Sequence, residues 1–313
     1  MSTHSTTATR TTGSTLDVLL LLVLSTLWGA SYTFIRVGVT IIPPVTFIAA
    51  RTLIAGLLLI AWMAARGIAM PRELAFWRLF LVQALMNSVI PFTLIAWAER
   101  SVEAGLATIL NSASPVLAFV GTWLISRHER VSARKLFGVV AGMTGICLVV
   151  GISVFDGAFD NLRNRLIPQL AIVVATICYA GAAIYGRSFK GKPAVVPAAG
   201  SLIVGAALLT PASLLVDHPW TLHPSMRSIE ALLALSVLST ALAFVIYFRL
   251  VQTLGSVGTT AQAYLRVPIG VAIGVIFLDE SLSATAWIGL VCVVVGVAAM
   301  TIKSPVRAAD TTR

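Results

Sequence analysis

The sequence predicts an all-α integral membrane protein: ten transmembrane helices in two inverted-topology repeats of five. Three observations carry this. The chain is 58% hydrophobic and only 11% charged over 313 residues, where soluble domains carry roughly 25% charged residues. Its apolar runs reach the length of about 20 residues that a helix needs to cross a bilayer. And a helical hairpin recurs in the chain at a distance of 151–153 residues.

The repeat is clearest in a helical hairpin. Trp97 to Gly151 holds two long apolar runs joined by a charged turn, and Leu250 to Met300 follows the same plan. Gly105 precedes Pro115 by ten residues, and Gly258 precedes Pro268 by ten. The turns carry Glu129, Ser132 and Gly138 in one half and Glu280, Ser283 and Gly289 in the other. Ser132 and Ser283 are placed to cap the next helix, whose first N–H groups lack partners. Gly138 and Gly289 allow close helix packing. Pro115 and Pro268 each remove a backbone hydrogen bond within an apolar run, either as packing kinks or as bends beside a wet cavity. Trp28 and Arg36 recur as Tyr179 and Arg187, and Thr52 to Gly56 recurs as Ser201 to Gly205.

In chain order, residues 1–15 read as a disordered Ser/Thr-rich tail. The run from Leu16 is long for a signal peptide and other spans follow, so it reads as a retained first helix. The expected spans are 16–35, 44–64, 78–97, 104–126, 134–154, 167–186, 195–216, 230–249, 256–277 and 284–302. The first repeat thus covers 16–154 and the second 167–302, with a linker at 155–166 and a tail at 303–313. Five spans per half force the second half to enter the membrane upside down, an arrangement typical of secondary transporters. With this layout, fifteen Lys and Arg fall on the side of the termini and five on the other, while Arg51 and Arg266 lie within spans. The positive-inside rule then places both termini in the cytoplasm. The net charge of +10 is explained by these loops, and no nucleic-acid motif accompanies it.

Few residues within the spans can do chemistry. Arg266 falls near the midplane, where an arginine costs roughly 2.5–3.5 kcal/mol on insertion scales and needs a cavity or a partner. It is a candidate cation for a substrate carboxylate or phosphate, or a structural pair. Arg51 lies roughly 10 Å below the membrane boundary, at 1.5 Å per helical residue. Glu99 and Glu103 lie at the outer ends of the third and fourth helices, which allows Arg51 and Glu99 to pair as a gate or a proton-coupling site, or as a static tie. Gln83, Asn87, Asn111, Gln262 and Tyr264 sit at mid-depth, where polar groups seek partners or water. Trp28 and Tyr179 are aromatic equivalents deep in the first and sixth helices. Glu129 and Glu280 fall on opposite faces and read as helix-end and turn residues. Cys147, Cys178 and Cys292 lie in apolar runs with neither metal-ligand nor disulfide spacing. The histidines lie in the tail and loops, and Asp217, His218 and His223 read as a surface loop rather than a metal site. No cofactor is expected, and no Walker or Rossmann fingerprint is present.

These motifs resemble the drug/metabolite transporter superfamily, specifically its EamA branch of bacterial inner-membrane transporters. The likeness is carried by Leu27-Trp28-Gly29, Arg51, Trp97-Ala98-Glu99, Gly105 to Asn111, Pro115 and the two Glu/Gly turns, across about residues 16–302. It implies ten helices around a central cavity, cytoplasmic termini, and export or exchange of amino acids, other metabolites or drugs. Arg266 departs from the general motif and is therefore a candidate specificity determinant. The expected function is secondary transport, without enzymatic activity, of a small polar metabolite: an amino-acid-like or other carboxylate-bearing compound, or a drug. The expected direction is export by alternating access. Trp28, Asn87, Asn111, Tyr179, Gln262, Tyr264 and Arg266 are the expected substrate contacts, and Arg51, Glu99, Pro115 and Pro268 the expected gating or proton-coupling residues. The expected partners are the small-molecule substrate and the lipid bilayer. The alternatives are an integral-membrane enzyme acting on lipids or lipid-linked sugars, which would need clustered acid, base or metal groups, and a non-transporting sensor or assembly factor.

Overall fold

The computed structural model describes residues 15–114, 116–117, 119–120, 133–155, 166–253 and 262–301. Among the described residues the chain is helical, with no strand. The helices are α1 (Thr15–Gly38), α2 (Pro44–Ala65), α3 (Leu74–Ala84), α4 (Ile90–Ala98), α5 (Ala104–Asn111), α6 (Ala133–Phe155), α7 (Ile167–Tyr185), α8 (Val195–Val216), α9 (Met226–Leu233), α10 (Ala243–Thr253), α11 (Gln262–Leu278) and α12 (Ala284–Thr301). Two π-helical stretches, Leu85–Val89 and Ala234–Leu242, join α3 to α4 and α9 to α10. Among the described residues, six stretches are long and apolar enough to cross a membrane: 15–38, 44–65, 74–98, 167–185, 195–216 and 226–247. Shorter apolar stretches lie within α6, α11 and α12.

Local chemistry sets the ends. Pro44 opens α2, where a missing N–H costs nothing. Ser225 caps α9 by accepting from Ser228 N at 3.2 Å. Ser283 accepts from Ala286 N at 3.2 Å, the cap expected from its position before α12. Gly67, at φ 66°, takes the left-handed turn that closes α2. Asp217 lies past the end of α8, and its carboxylate accepts from Thr46 N at 2.9 Å and Thr46 Oγ1 at 2.8 Å. It therefore ties two helices together.

α2 packs on α8, α5 on α11, and α6 on α12. α1 lies against α10 and α11, while α7 lies against α4 and α5. The α6–α12 crossing is close enough to exclude side chains. A Cβ on Gly296 would fall 2.6 Å from Gly142 N and 2.7 Å from Gly138 O, and one on Gly289 would fall 2.9 Å from Gly145 O. Small residues let membrane helices approach until their backbones touch. The interior is filled by large side chains such as Phe47, Phe80, Leu59 and Leu202, all essentially inaccessible. The outer faces expose Leu19, Leu57, Val174 and Ile288. Such a continuous apolar surface suits acyl chains rather than water.

Candidate functional site

A cavity of about 230 Å³ opens where α1, α2, α4, α5, α7, α10 and α11 meet. Its lining combines aromatic walls (Trp28, Phe92, Tyr179, Phe244), small polar groups (Ser31, Asn87, Ser114, Ser239) and two arginines, Arg51 and Arg266. Among its lining residues there is no carboxylate. The π stretches shape it. Asn87 lies in the first and Ser239 in the second, and both reach the cavity. A widened turn re-aims side chains and loosens backbone carbonyls, and such turns gather at functional sites. Pro91 contributes to the first, because it cannot donate to the carbonyl four residues back.

The two arginines are held differently. Arg51 is buried. Its Nε donates to Thr240 Oγ1 at 3.1 Å, and its guanidinium lies 3.8 Å above the centre of the Phe92 ring. Thr240 Oγ1 in turn donates to Leu235 O at 2.7 Å, five residues back within the π stretch. Arg266 has a buried Nε with no hydrogen-bond partner. Its carbonyl faces Gly29, where an added Cβ would come within 3.0 Å, so α1 and α11 meet closely at the depth of the cavity.

A chain of hydrogen bonds crosses the floor of the site. Thr176 Oγ1 donates to Asn111 Oδ1 at 3.2 Å, and Asn111 Nδ2 donates to the Tyr32 hydroxyl. Asn111 is thus both a cavity-lining group and a bond between helices. Trp28 packs against Phe244 and Tyr247, and Tyr179 against Phe92, at ring-centre separations of 6.2, 5.6 and 6.3 Å.

A second recess, of about 650 Å³, lies at the end of the bundle marked by the α4–α5 loop. It is lined by Arg36, Glu99, Arg100, Glu103, Arg227, Asp279 and Glu280, among others. Glu99 follows the end of α4 and is 0% exposed, yet neither carboxyl oxygen has a hydrogen-bond partner. Burial pushes this carboxyl well above the usual carboxylate range, Glu280 raises it further, and Arg36 and Arg51 act the other way. Arg36 donates to the Glu99 backbone carbonyl, closing the C-terminus of α4. The expected direct pair of Arg51 with Glu99 is not formed. Arg51 points instead to Thr240 and Phe92.

Of the expected substrate contacts, Trp28, Asn87, Asn111, Tyr179 and Arg266 converge on the cavity together with Arg51. Gln262, at the start of α11, is not among its lining. Its carbonyl accepts from Ser25 Oγ at 3.4 Å and its side-chain oxygen is buried without a partner. The Tyr264 side chain and Pro115 lie outside the described residues. Pro268 lies inside α11 with its ring exposed. Sequence reasoning missed Tyr32, Phe92, Ser239 and Thr240. Ser239 lies 152 residues after Asn87, so the repeat distance was a usable signal for it.

A helical membrane bundle enclosing a polar, cation-bearing cavity is built as a carrier of small solutes. The chain belongs to the EamA-like transporter family, whose profile matches twice, over residues 15–151 and 166–302. It is similar to the Escherichia coli K12 protein named uncharacterized inner membrane transporter YedA, at 25% identity, covering 88% of this chain and 87% of that one. It is also similar to the uncharacterized transporter YvbV of Bacillus subtilis, at 26% identity over 94% of each chain. A further relative is an uncharacterized transporter of Archaeoglobus fulgidus, at 28% identity, covering 91% of this chain and 97% of its own. A crystal structure superposes with a TM-score of 0.63 at 18% identity, over 92% of this chain and 98% of that chain, so the fold has been seen experimentally. Family and relatives together identify a multi-pass membrane transporter rather than an enzyme.

Proposed function

We propose that the chain exports a small metabolite bearing a carboxylate or similar anionic group, by alternating access between two inverted five-helix halves. One observation carries the substrate class. The cavity presents two guanidinium groups and no acid among its lining residues, and the buried Nε of Arg266 is without a partner. A buried donor left unpaired costs free energy, and an anionic ligand would satisfy it. Arg51, already bonded, contributes field and shape. The volume of about 230 Å³ falls below the roughly 300–1,000 Å³ of drug-sized pockets, which favours a compact metabolite over a bulky drug. Ser31, Asn87 and Ser239 offer neutral hydrogen bonds, and Trp28 and Phe244 an apolar wall.

Support for the inverted repeat comes from partner exchange. Swapping the halves turns the α1–α11 contact into α7–α5 and the α1–α10 contact into α7–α4. It returns α2–α8, α5–α11 and α6–α12 to themselves. The twofold match of the family profile agrees with this. On this reading there are ten spans, the termini are cytoplasmic, and the Glu99 recess faces outward.

The test is thermal stabilisation of the purified protein across a metabolite panel, since a ligand that binds only the folded state raises its stability by mass action. A carboxylate compound that stabilises the wild type but not Arg266→Gln, and that is moved by proteoliposomes, is the expected result. A ligand bound and moved equally well by Arg266→Gln would remove Arg266 from the site.

A further inference from the structure

Glu280 does more than occupy a turn. The first N–H groups of α5 lack partners within their own helix, and Glu103 at the N-cap position accepts no capping bond through its side chain. The cap comes from 175 residues away. Glu280 Oε1 accepts from Ala104 N at 2.6 Å, and Oε2 accepts from Gly105 N at 2.8 Å. A carboxylate at a helix start also meets the positive end of the helix dipole. The backbone is shaped for this reach. Asp279 takes a left-handed conformation at φ 53°, folding the chain back past the end of α11. A Cβ on Gly274 would stand 2.5 Å from Glu280 Oε2, so only glycine leaves room for the carboxylate. The contact joins α5 of one half to the turn after α11 of the other, and Glu103 just before α5 lines the 650 Å³ recess together with Asp279 and Glu280 of the turn.

Glu99 lies on the same wall, and its carboxyl is fully buried and unpartnered. The groups facing it are Tyr32 and Arg36 of α1, Arg51 of α2, Arg100 and Glu103 of its own loop, Arg227 of α9, and Asp279 and Glu280 of the turn. Arg36 and Arg51 are engaged elsewhere, one with the Glu99 carbonyl and one with Thr240. A neutral Glu99 is compatible with this arrangement. An ionised Glu99 would be a buried, unpaired anion beside a second carboxylate, and neighbouring carboxylates resist joint ionisation.

We propose that Glu280 is a latch that holds this end of the carrier shut by clamping the start of α5, and that ionisation of Glu99 releases it. Glu280 is the mobile partner because it is partly exposed to the recess, whereas Glu99 is fully buried at the end of α4. Release frees α5 from the α11–α12 turn and lets the recess join the central cavity, while Glu99 draws Arg36 or Arg51 as its new partner. One proton on Glu99 thereby reports to the gate, which couples proton movement to the opening of one face. The inference rests on the transporter reading for its purpose, but not for its test.

The test is amide hydrogen exchange in the full-length protein in detergent, at Ala104 and Gly105, corrected for the intrinsic pH dependence of exchange. In the wild type these two amides are expected to be protected in acid and to lose protection in alkali. In Glu99→Gln they should stay protected at both pH values. In Glu280→Ala they should be unprotected at both. Gly274→Ala keeps the charge but pushes the carboxylate off its seat, and should match Glu280→Ala. Unchanged protection in both Glu280→Ala and Gly274→Ala would overturn the latch. A wild-type pH response in Glu99→Gln would overturn its release by Glu99. Proteoliposome flux is read separately: exchange behaving as expected without flux of any substrate would sink the transport reading and leave the latch standing.

Discussion

At the residue scale, the two arginines show what burial does to a cation. Arg51 is satisfied by a hydroxyl and an aromatic face, while Arg266 keeps one donor unpaired. Hydrogen bonds to charged groups contribute about 1.5–3 kcal/mol, so Arg266→Gln should weaken an anionic ligand by roughly ten- to 150-fold. A neutral ligand should lose far less. Titration calorimetry with the stabilising ligand and its amide analogue separates the two cases. The helix carrying each residue was legible in the sequence here, but rotation was not. Counting residues puts Arg51 and Glu99 within reach of each other at one end of the bundle, yet it cannot say which way each helix turns its face. The Thr240 partner arises on another helix, through a π turn that no periodicity reveals. The Glu280 cap was hidden for the same reason, since its acceptor and donors are brought together only by the packing of the halves.

At the element scale, the helices were legible nearly throughout. Each expected span is helical where it is described, apart from a turn at Ser112–Ala113. Hydropathy and length decide this, because a backbone in lipid must satisfy its own hydrogen bonds. The glycines expected to allow close packing do so at α6–α12, where helix backbones touch. Gly296→Ala should therefore be costly although it adds one methyl group. Its Cβ would meet backbone atoms of Gly138 and Gly142, which cannot rotate away. Overpacking of this kind costs about 1–3 kcal/mol, and a lowered melting temperature in detergent is the expected outcome. The same change at Gly67, where no atom lies within 4 Å, would test the positive φ alone.

At the scale of the whole molecule, Glu99 makes stability depend on pH. Its folded-state carboxyl holds its proton above the ordinary value near 4.5. The folded chain therefore binds the extra proton, and stability is fully present below that value. It is lost as pH rises through the raised folded-state range. Melting curves of the wild type should fall across this window, and Glu99→Gln should flatten the fall. A variant that melts with an unchanged pH profile would assign the dependence to another group.

The cavity lining has an electrical consequence. On the proposed alternating-access cycle, the membrane potential would drop across whichever barrier is closed, so fixed charges in the cavity would change sides without moving far. An empty cavity holding Arg51 and Arg266 swings as two positive charges, and one filled by a monoanion swings as one. Each charge is coupled to the potential by up to about 2.3 kcal/mol per 100 mV. On the proposed export cycle, a negative interior would therefore pull the empty carrier inward more strongly than the loaded one, resetting it for the next outward trip. Imposing an ionophore-driven diffusion potential on loaded vesicles should speed turnover when the side bearing the termini is negative, and slow it when the gradient is reversed.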